Sequence, residues 1–145
     1  MNLYVLDASV AAKCVLPPAD EPLVSEAMEL LDAYVEGRVR LVVPDVFWPE
    51  IGNVLWKAVR FGRMSRQNAG DALQTFRERR IPTSPSQPLM EQAFSIAVAF
   101  DRAIYDCMYI ALAIVSRSQL VTADRRLANS LGAQFPVRWL GAWNL

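Results

Sequence analysis

The sequence predicts an α/β domain of three layers, α/β/α, with a largely parallel central sheet. Three observations carry this expectation. Short runs of strand formers alternate along the chain with longer segments of helical periodicity. The first and fourth of these short runs, at Leu3–Leu6 and Leu120–Thr122, each lead into an aspartate and then a helical pattern. One later segment, IYDCMYIALAIV, is apolar on every side, the pattern of a helix buried in the middle of a domain.

The elements follow in order. Leu3 to Leu6 (LYVL) is a strand, and Asp7 stands at its carboxyl end, where open α/β sheets bind ligands. After Ser9, VAAKCVL reads as a short helix stopped by Pro17 and Pro18. Asp20 or Glu21 opens a second helix with Pro22 in its first turn, and Gly37 ends it. Its inner stripe includes Ala27, Leu30, Leu31 and Tyr34. Arg40–Val43 is a second strand. Asp45 caps a third helix, Val46 to Phe61, in which Pro49 is tolerated because it falls in the first turn. A fourth helix follows Ser65, with Ala69, Ala72, Leu73 and Phe76 inward. Ile81–Thr83 is a weak strand, Ser86–Phe100 a fifth helix, and a sixth runs from Tyr105 or Asp106 to about Ser116. Leu120–Thr122 is a strand, Asp124–Leu131 a short helix closed by Gly132, and Val137–Leu140 a last strand.

With 145 residues, 53% hydrophobic, the chain is expected to form one domain, residues 1–145, with a sizeable core. The formal net charge is zero and the pI is about 6.3, so no global basic field advertises nucleic acid. All the basic residues except Lys13 and Lys57 are Arg. The absence of His excludes Ser-His-Asp and Cys-His catalysis and His-ligated zinc within this chain. Hydrolysis would therefore rest on carboxylates. Cys14 and Cys107 lack metal-type spacing and lie in apolar helical runs, which reads as buried free thiols in a reducing cytoplasm. No signal peptide is visible, and no apolar run is long enough to span a bilayer.

Four acids stand where acids are unusual. With Val46 at 0° and about 100° per residue, Glu50 falls at roughly 40° on the apolar side of its helix. The alternative is a Glu at the edge of that face, or one paired with Lys57 or an Arg. Asp106 lies in the first turn of the all-apolar helix, where an N-cap is the ordinary reading. Asp7 and Asp124 each follow a strand and precede a helix, again where caps occur. Ser9 and Thr122 each stand two residues from an acid, placed to bond a carboxylate or to satisfy local backbone. Gathered together, four carboxylates would repel unless a cation neutralised them. Hard oxygen ligands suit Mg²⁺ or Mn²⁺, and such ions on carboxylates orient water and stabilise a phosphodiester transition state. Spacing alone leaves open whether the fold converges them.

These residues also carry a resemblance. VLDASV, PEIGNVLWKA, YDCMYIALA and LVTADRRL resemble the four motifs of PIN-domain ribonucleases, and the order and chain length are similar to VapC toxins of type II toxin–antitoxin pairs. The last two motifs in tandem are the specific part. The resemblance implies a PIN-like domain in which Asp7, Glu50, Asp106 and Asp124 bind metal and act in catalysis, with Ser9 and Thr122 as supporting hydroxyls. It implies Mg²⁺- or Mn²⁺-dependent RNA cleavage, a homodimer and a VapB-type antitoxin partner; the cysteine usage and the lack of a signal peptide or membrane-length run give the expectation of a cytoplasmic location without membrane association. Some relatives carry a further acid after the fourth; here Ala128 and Asn129 occupy that region.

Arg125 and Arg126, directly after Asp124, are the basic pair placed for RNA phosphate contact. Arg60, Arg63 and Arg66, and Arg77, Arg79 and Arg80, read as solvated faces. Trp48 and Trp56 mark either a partner groove or plain core. Two other readings compete. An aspartyl phosphotransferase with Asp7 as nucleophile would want a second acid where Ser9 stands. A non-catalytic PIN-like module, binding RNA or protein, would need no metal.

Overall fold

A computed structural model describes residues 1–144, with Asp20 described by its backbone alone. A five-stranded sheet, every pairing parallel, is built from β1 (Leu3–Leu6), β2 (Arg40–Pro44), β3 (Thr83–Ser84), β4 (Gln119–Thr122) and β5 (Val137–Trp139). The spatial order is β3-β2-β1-β4-β5. The chain therefore builds outward from β1 in one direction, then crosses back to lay β4 on its other side. That reversal makes the β1/β4 junction a topological switch point, where the carboxyl ends of two strands diverge into separate loops. Asp7 and Asp124 both leave the sheet there. β1 is central because it is apolar on both faces: Val5 and Leu6 are fully buried.

Among the described residues seven α-helices surround the sheet: α1 (Ala8–Val15), α2 (Val24–Val35), α3 (Phe47–Arg60), α4 (Arg66–Glu78), α5 (Met90–Phe100), α6 (Ile104–Val115) and α7 (Arg125–Leu131). α6 is the most buried, with Cys107 through Ala113 all inside, as its apolar circumference predicts. α3 buries Phe47, Ile51, Leu55 and Ala58 along one stripe. Phe47, Trp48 and Phe76 form an aromatic cluster with centroids 5.0 to 6.3 Å apart. Trp48 therefore serves the core, whereas Trp56 is 55% exposed.

The structure corrects several local expectations. α2 begins at Val24 rather than at Asp20 or Glu21. Leu23 takes a left-handed conformation (φ 62°) before it, and Glu21 is extended and ion-paired with Lys13 at 3.5 Å. Asp45 does not cap α3; its carboxylate accepts from the Ser86 backbone N–H at 3.0 Å, pinning the loop after β3. Ser86 precedes a 3-10 turn, Gln87–Leu89, which runs into α5. β3 lies at Thr83–Ser84, slightly later than the weak strand expected. Cys107 is buried and Cys14 partly so; both are free, and burial pushes the Cys14 thiol up to about 11. Among the described residues no helix is long and apolar enough to cross a membrane.

α4 begins as its sequence predicts. Ser65 Oγ accepts from the Asn68 N–H at 3.0 Å, the reciprocal of a helix end with unpaired donors. Ser65→Ala is expected to lower stability by about 1 kcal/mol, read as a shifted midpoint in urea at unchanged slope.

Candidate active site

The carboxyl ends of β1 and β4 open into a cavity of about 590 Å³ whose wall includes Asp7, Glu50, Asp106 and Asp124. Each acid arrives on a different element: Asp7 from the end of β1, Asp124 from the β4–α7 junction, Glu50 from the first turn of α3, and Asp106 from the first turn of α6. All the acids singled out in the sequence thus reach one place.

Asp7 is the most enclosed, 7% exposed. It occupies the N-cap position of α1 but makes no side-chain cap hydrogen bond. Instead its Oδ2 accepts from Thr122 Oγ1 at 2.6 Å and Ser9 Oγ at 2.8 Å. Each hydroxyl is itself oriented by backbone. Ser9 Oγ accepts from the Ala123 N–H and Thr122 Oγ1 from the Asp124 N–H, both at 3.0 Å. A hydroxyl has one proton to give, so both are committed to Asp7. Their own separation of 3.4 Å is proximity, not a further bond. The network stitches the β1 end to the β4 end. It also occupies Oδ2 with two hydroxyl donors.

Glu50 lies on the cavity side of α3, as the helical wheel predicts, and is not paired with Lys57 or an Arg among the described residues. Its Oε1 is buried without a hydrogen-bond partner. The Tyr109 hydroxyl lies close enough to favour the Glu50 carboxylate, yet it too completes no hydrogen bond of good geometry. Burial first, then the charges of Asp7 and Asp106, push the Glu50 carboxyl up to about 7. Burial likewise raises Asp7, against the two hydroxyl bonds that favour its charge. Asp106 is raised by burial despite Arg102, whose Nη2 bonds its Oδ2 at 3.2 Å.

Asp106 is not an N-cap, since Ala103 holds that position. Asp124 is one: its Oδ1 accepts from the N–H groups of Arg126 and Leu127 at 3.0 and 3.2 Å. Here capping and lining the cavity are compatible roles, because the cap fixes the carboxylate's direction through one oxygen.

The donor set is all oxygen and anionic, with one buried carboxylate oxygen unpartnered. These features fit a hard divalent cation. Among the described residues no group of three or more acids is drawn together as a ready-made ligand cage. Mutual repulsion holds bare carboxylates apart, and Mg²⁺-type ions keep several waters between themselves and a few carboxylates.

Neither Arg125 nor Arg126 lines the cavity. Arg125 lies over the Trp139 ring, its Cζ 4.5 Å from the centroid. Arg102 and Tyr109 are site residues that sequence reading missed. Helical spacing was an available signal for Tyr109 alone, three residues after Asp106 on α6; Arg102 stands in the connection before that helix. Asn53, one turn after Glu50, also lines the wall.

An all-parallel sheet with acids at its switch point defines a class, and comparison with known proteins names it. The PIN domain family model matches residues 4–130, so the chain belongs to the PIN-domain family. Within it the chain belongs with the VapC ribonucleases, RNA-cleaving hydrolases by name, as its curated relatives show. Ribonuclease VapC9 of Mycobacterium tuberculosis is 31% identical over 135 residues, covering 93% of this chain and 96% of that one. Ribonuclease VapC3 of Pyrobaculum aerophilum is 28% identical over 131 residues, covering 89% and 95%. Among solved structures, a Pyrobaculum aerophilum protein superposes with a TM-score of 0.69 at 25% identity, covering 89% of this chain and 79% of that one. The VapBC2 complex of Rickettsia felis, bound to a promoter DNA fragment, gives a TM-score of 0.66 at 12% identity, covering 98% and 99%, a likeness of fold.

Proposed function

We propose that the chain is a Mg²⁺- or Mn²⁺-dependent endoribonuclease, the toxin of a VapBC-type pair, whose reaction centre is the cavity bounded by Asp7, Glu50, Asp106 and Asp124. The observation that carries this reading is the convergence of four carboxylates from four elements on one cavity, with Glu50 Oε1 buried and unpartnered. Asp7, Asp106 and Asp124 would hold the cation, with Glu50 completing the anionic wall. When bound, a divalent ion supplies charge stabilisation for a phosphoryl transition state and favours ionisation of water. Ser9 and Thr122 hold the Asp7 carboxylate in place through Oδ2, so it meets a ligand without reorganisation. Glu50, with its raised pKa, is suited to take a proton from the attacking water near neutral pH.

The partners follow from the same family. A VapB-type antitoxin is the protein partner, and an apolar groove of about 400 Å³ between α3 and α4, lined by Leu55, Trp56, Val59 and Leu73, supports a surface for it. A homodimer is supported by the apolar face of α5, where Phe94 and Val98 are 63% and 69% exposed. The cytoplasm is the proposed location.

The test is cleavage of a cellular RNA pool by purified protein with Mg²⁺ or Mn²⁺, with EDTA, and with Asp106→Asn. Cleavage that requires both metal and Asp106 is expected. Equal cleavage by Asp106→Asn would remove Asp106 from the centre. Arg102 offers a subtler check. Its cation beside Asp106 opposes metal binding, so Arg102→Ala is expected to tighten Mn²⁺ binding a few-fold by titration calorimetry. The effect is small because the pair is partly solvent-screened.

A further inference from the structure

We infer that Arg125 and Trp139 form a stacking platform for a base of the RNA strand entering the cavity; this rests on the ribonuclease reading above. Trp139 is the last residue of β5 and lies in register with Thr122. Its indole therefore stands at the same carboxyl edge of the sheet as the acids. The ring is held in place by what flanks it. A Cβ on Gly141 would lie 2.3 to 2.6 Å from three atoms of the indole's six-membered ring, so the backbone there packs directly against the ring. The Arg125 guanidinium carbon sits 4.5 Å from the ring centroid.

Arg125 is exposed, directly follows Asp124, and makes no hydrogen bond or ion pair among the described residues. An arginine of that kind ordinarily samples many rotamers. Here the indole orients it while its N–H donors stay unused by protein. A guanidinium plane on an aromatic ring presents a flat face to a nucleobase and donor edges to its phosphate. Half-buried Trp139 adds aromatic edge beside it. Arg126, by contrast, has no such support.

The test uses the full chain in EDTA, so RNA is bound but not cut. Binding of a fluorescent mixed-sequence single-stranded RNA of about a dozen nucleotides is followed by anisotropy. A ribose-phosphate strand of equal length without bases serves as the second probe. Loss of one stacked base weakens binding roughly tenfold. Trp139→Leu and Arg125→Lys are each expected to weaken the RNA by about that factor and to leave the abasic strand unaffected. Trp139→Phe, which keeps a ring face, is expected to restore most of the affinity and shows that any loss is not misfolding. Parent-like RNA binding by Trp139→Leu would overturn the platform. So would equal weakening on both strands, which would assign Arg125 to phosphate contact alone. A parent that cuts RNA while these variants bind normally refutes the platform and spares the nuclease. A parent that binds but never cuts with Mg²⁺ or Mn²⁺ refutes the nuclease reading. Neither binding nor cutting refutes both.

Discussion

Asp7→Asn is expected to reduce metal-dependent RNA cleavage at least about 10³-fold while raising the melting temperature of the metal-free protein. Both effects follow from one geometry. Ser9 and Thr122 donate to the same oxygen, Oδ2. An asparagine carbonyl in that position accepts both bonds, so the β1–β4 stitch and the fold persist. Its amide nitrogen then takes the place of Oδ1, replacing an anionic ligand with a neutral donor that cannot hold a cation. Burial already disfavours the Asp7 charge, with Asp106 adding repulsion. Removing the charge relieves both, and each 1 kcal/mol gained raises the midpoint by roughly 3–5 °C in a domain of this size. Parallel cleavage assays and calorimetric melts in EDTA check the pair. A variant that is inactive but less stable would mean that Asp7 is structural. A variant that cuts at the parent rate would move the metal site elsewhere.

What the sequence made legible was whatever short-range pattern controls. β1 and β4 were readable as apolar runs, and an acid just past each is a local feature. That the two acids meet depends on strand order, and the sheet supplies it by placing β4 beside β1. Glu50 was readable because a carboxylate on an apolar helical stripe is costly. The start of α2 was not. Asp20, Glu21 and Pro22 look like a helix opening, but Leu23 adopts φ 62° and delays it. Asp45 misled for a related reason: it stands where a cap belongs, yet Ser86, distant in sequence, takes its carboxylate. Arg102 and Tyr109 were hidden by their ordinary settings, a loop arginine and a core tyrosine. Only their tertiary neighbours make them part of the site. Arg125 was singled out for phosphate, and its stacking on Trp139 needed the β5 register to be visible.

Cleavage is expected to fall as pH drops below 7, and Glu50→Gln to weaken that dependence and to remove at least about 10²-fold of the rate. The Glu50 carboxyl is raised from an ordinary 4.5 to about 7, so below 7 it is protonated and unable to accept a proton or favour a cation. The stability consequence has a definite sign. Between about 4.5 and 7 the folded protein keeps a proton that the unfolded chain releases. Stability of the metal-free protein is therefore greatest below 4.5 as far as Glu50 is concerned, and declines as pH rises to 7. After discounting for its partial exposure, the decline is on the order of 1–2 kcal/mol. Asp7 and Asp106, also raised, act in the same direction. Divalent cation reverses the trend, because it binds the ionised acids of the folded state alone. Melting curves from pH 5 to 8, with EDTA and with Mn²⁺, separate the two. The EDTA midpoint should fall with pH and the Mn²⁺-induced increment should grow. In Glu50→Gln the EDTA slope should be shallower. A parent slope unchanged in Glu50→Gln would place the titrating group elsewhere in the cavity.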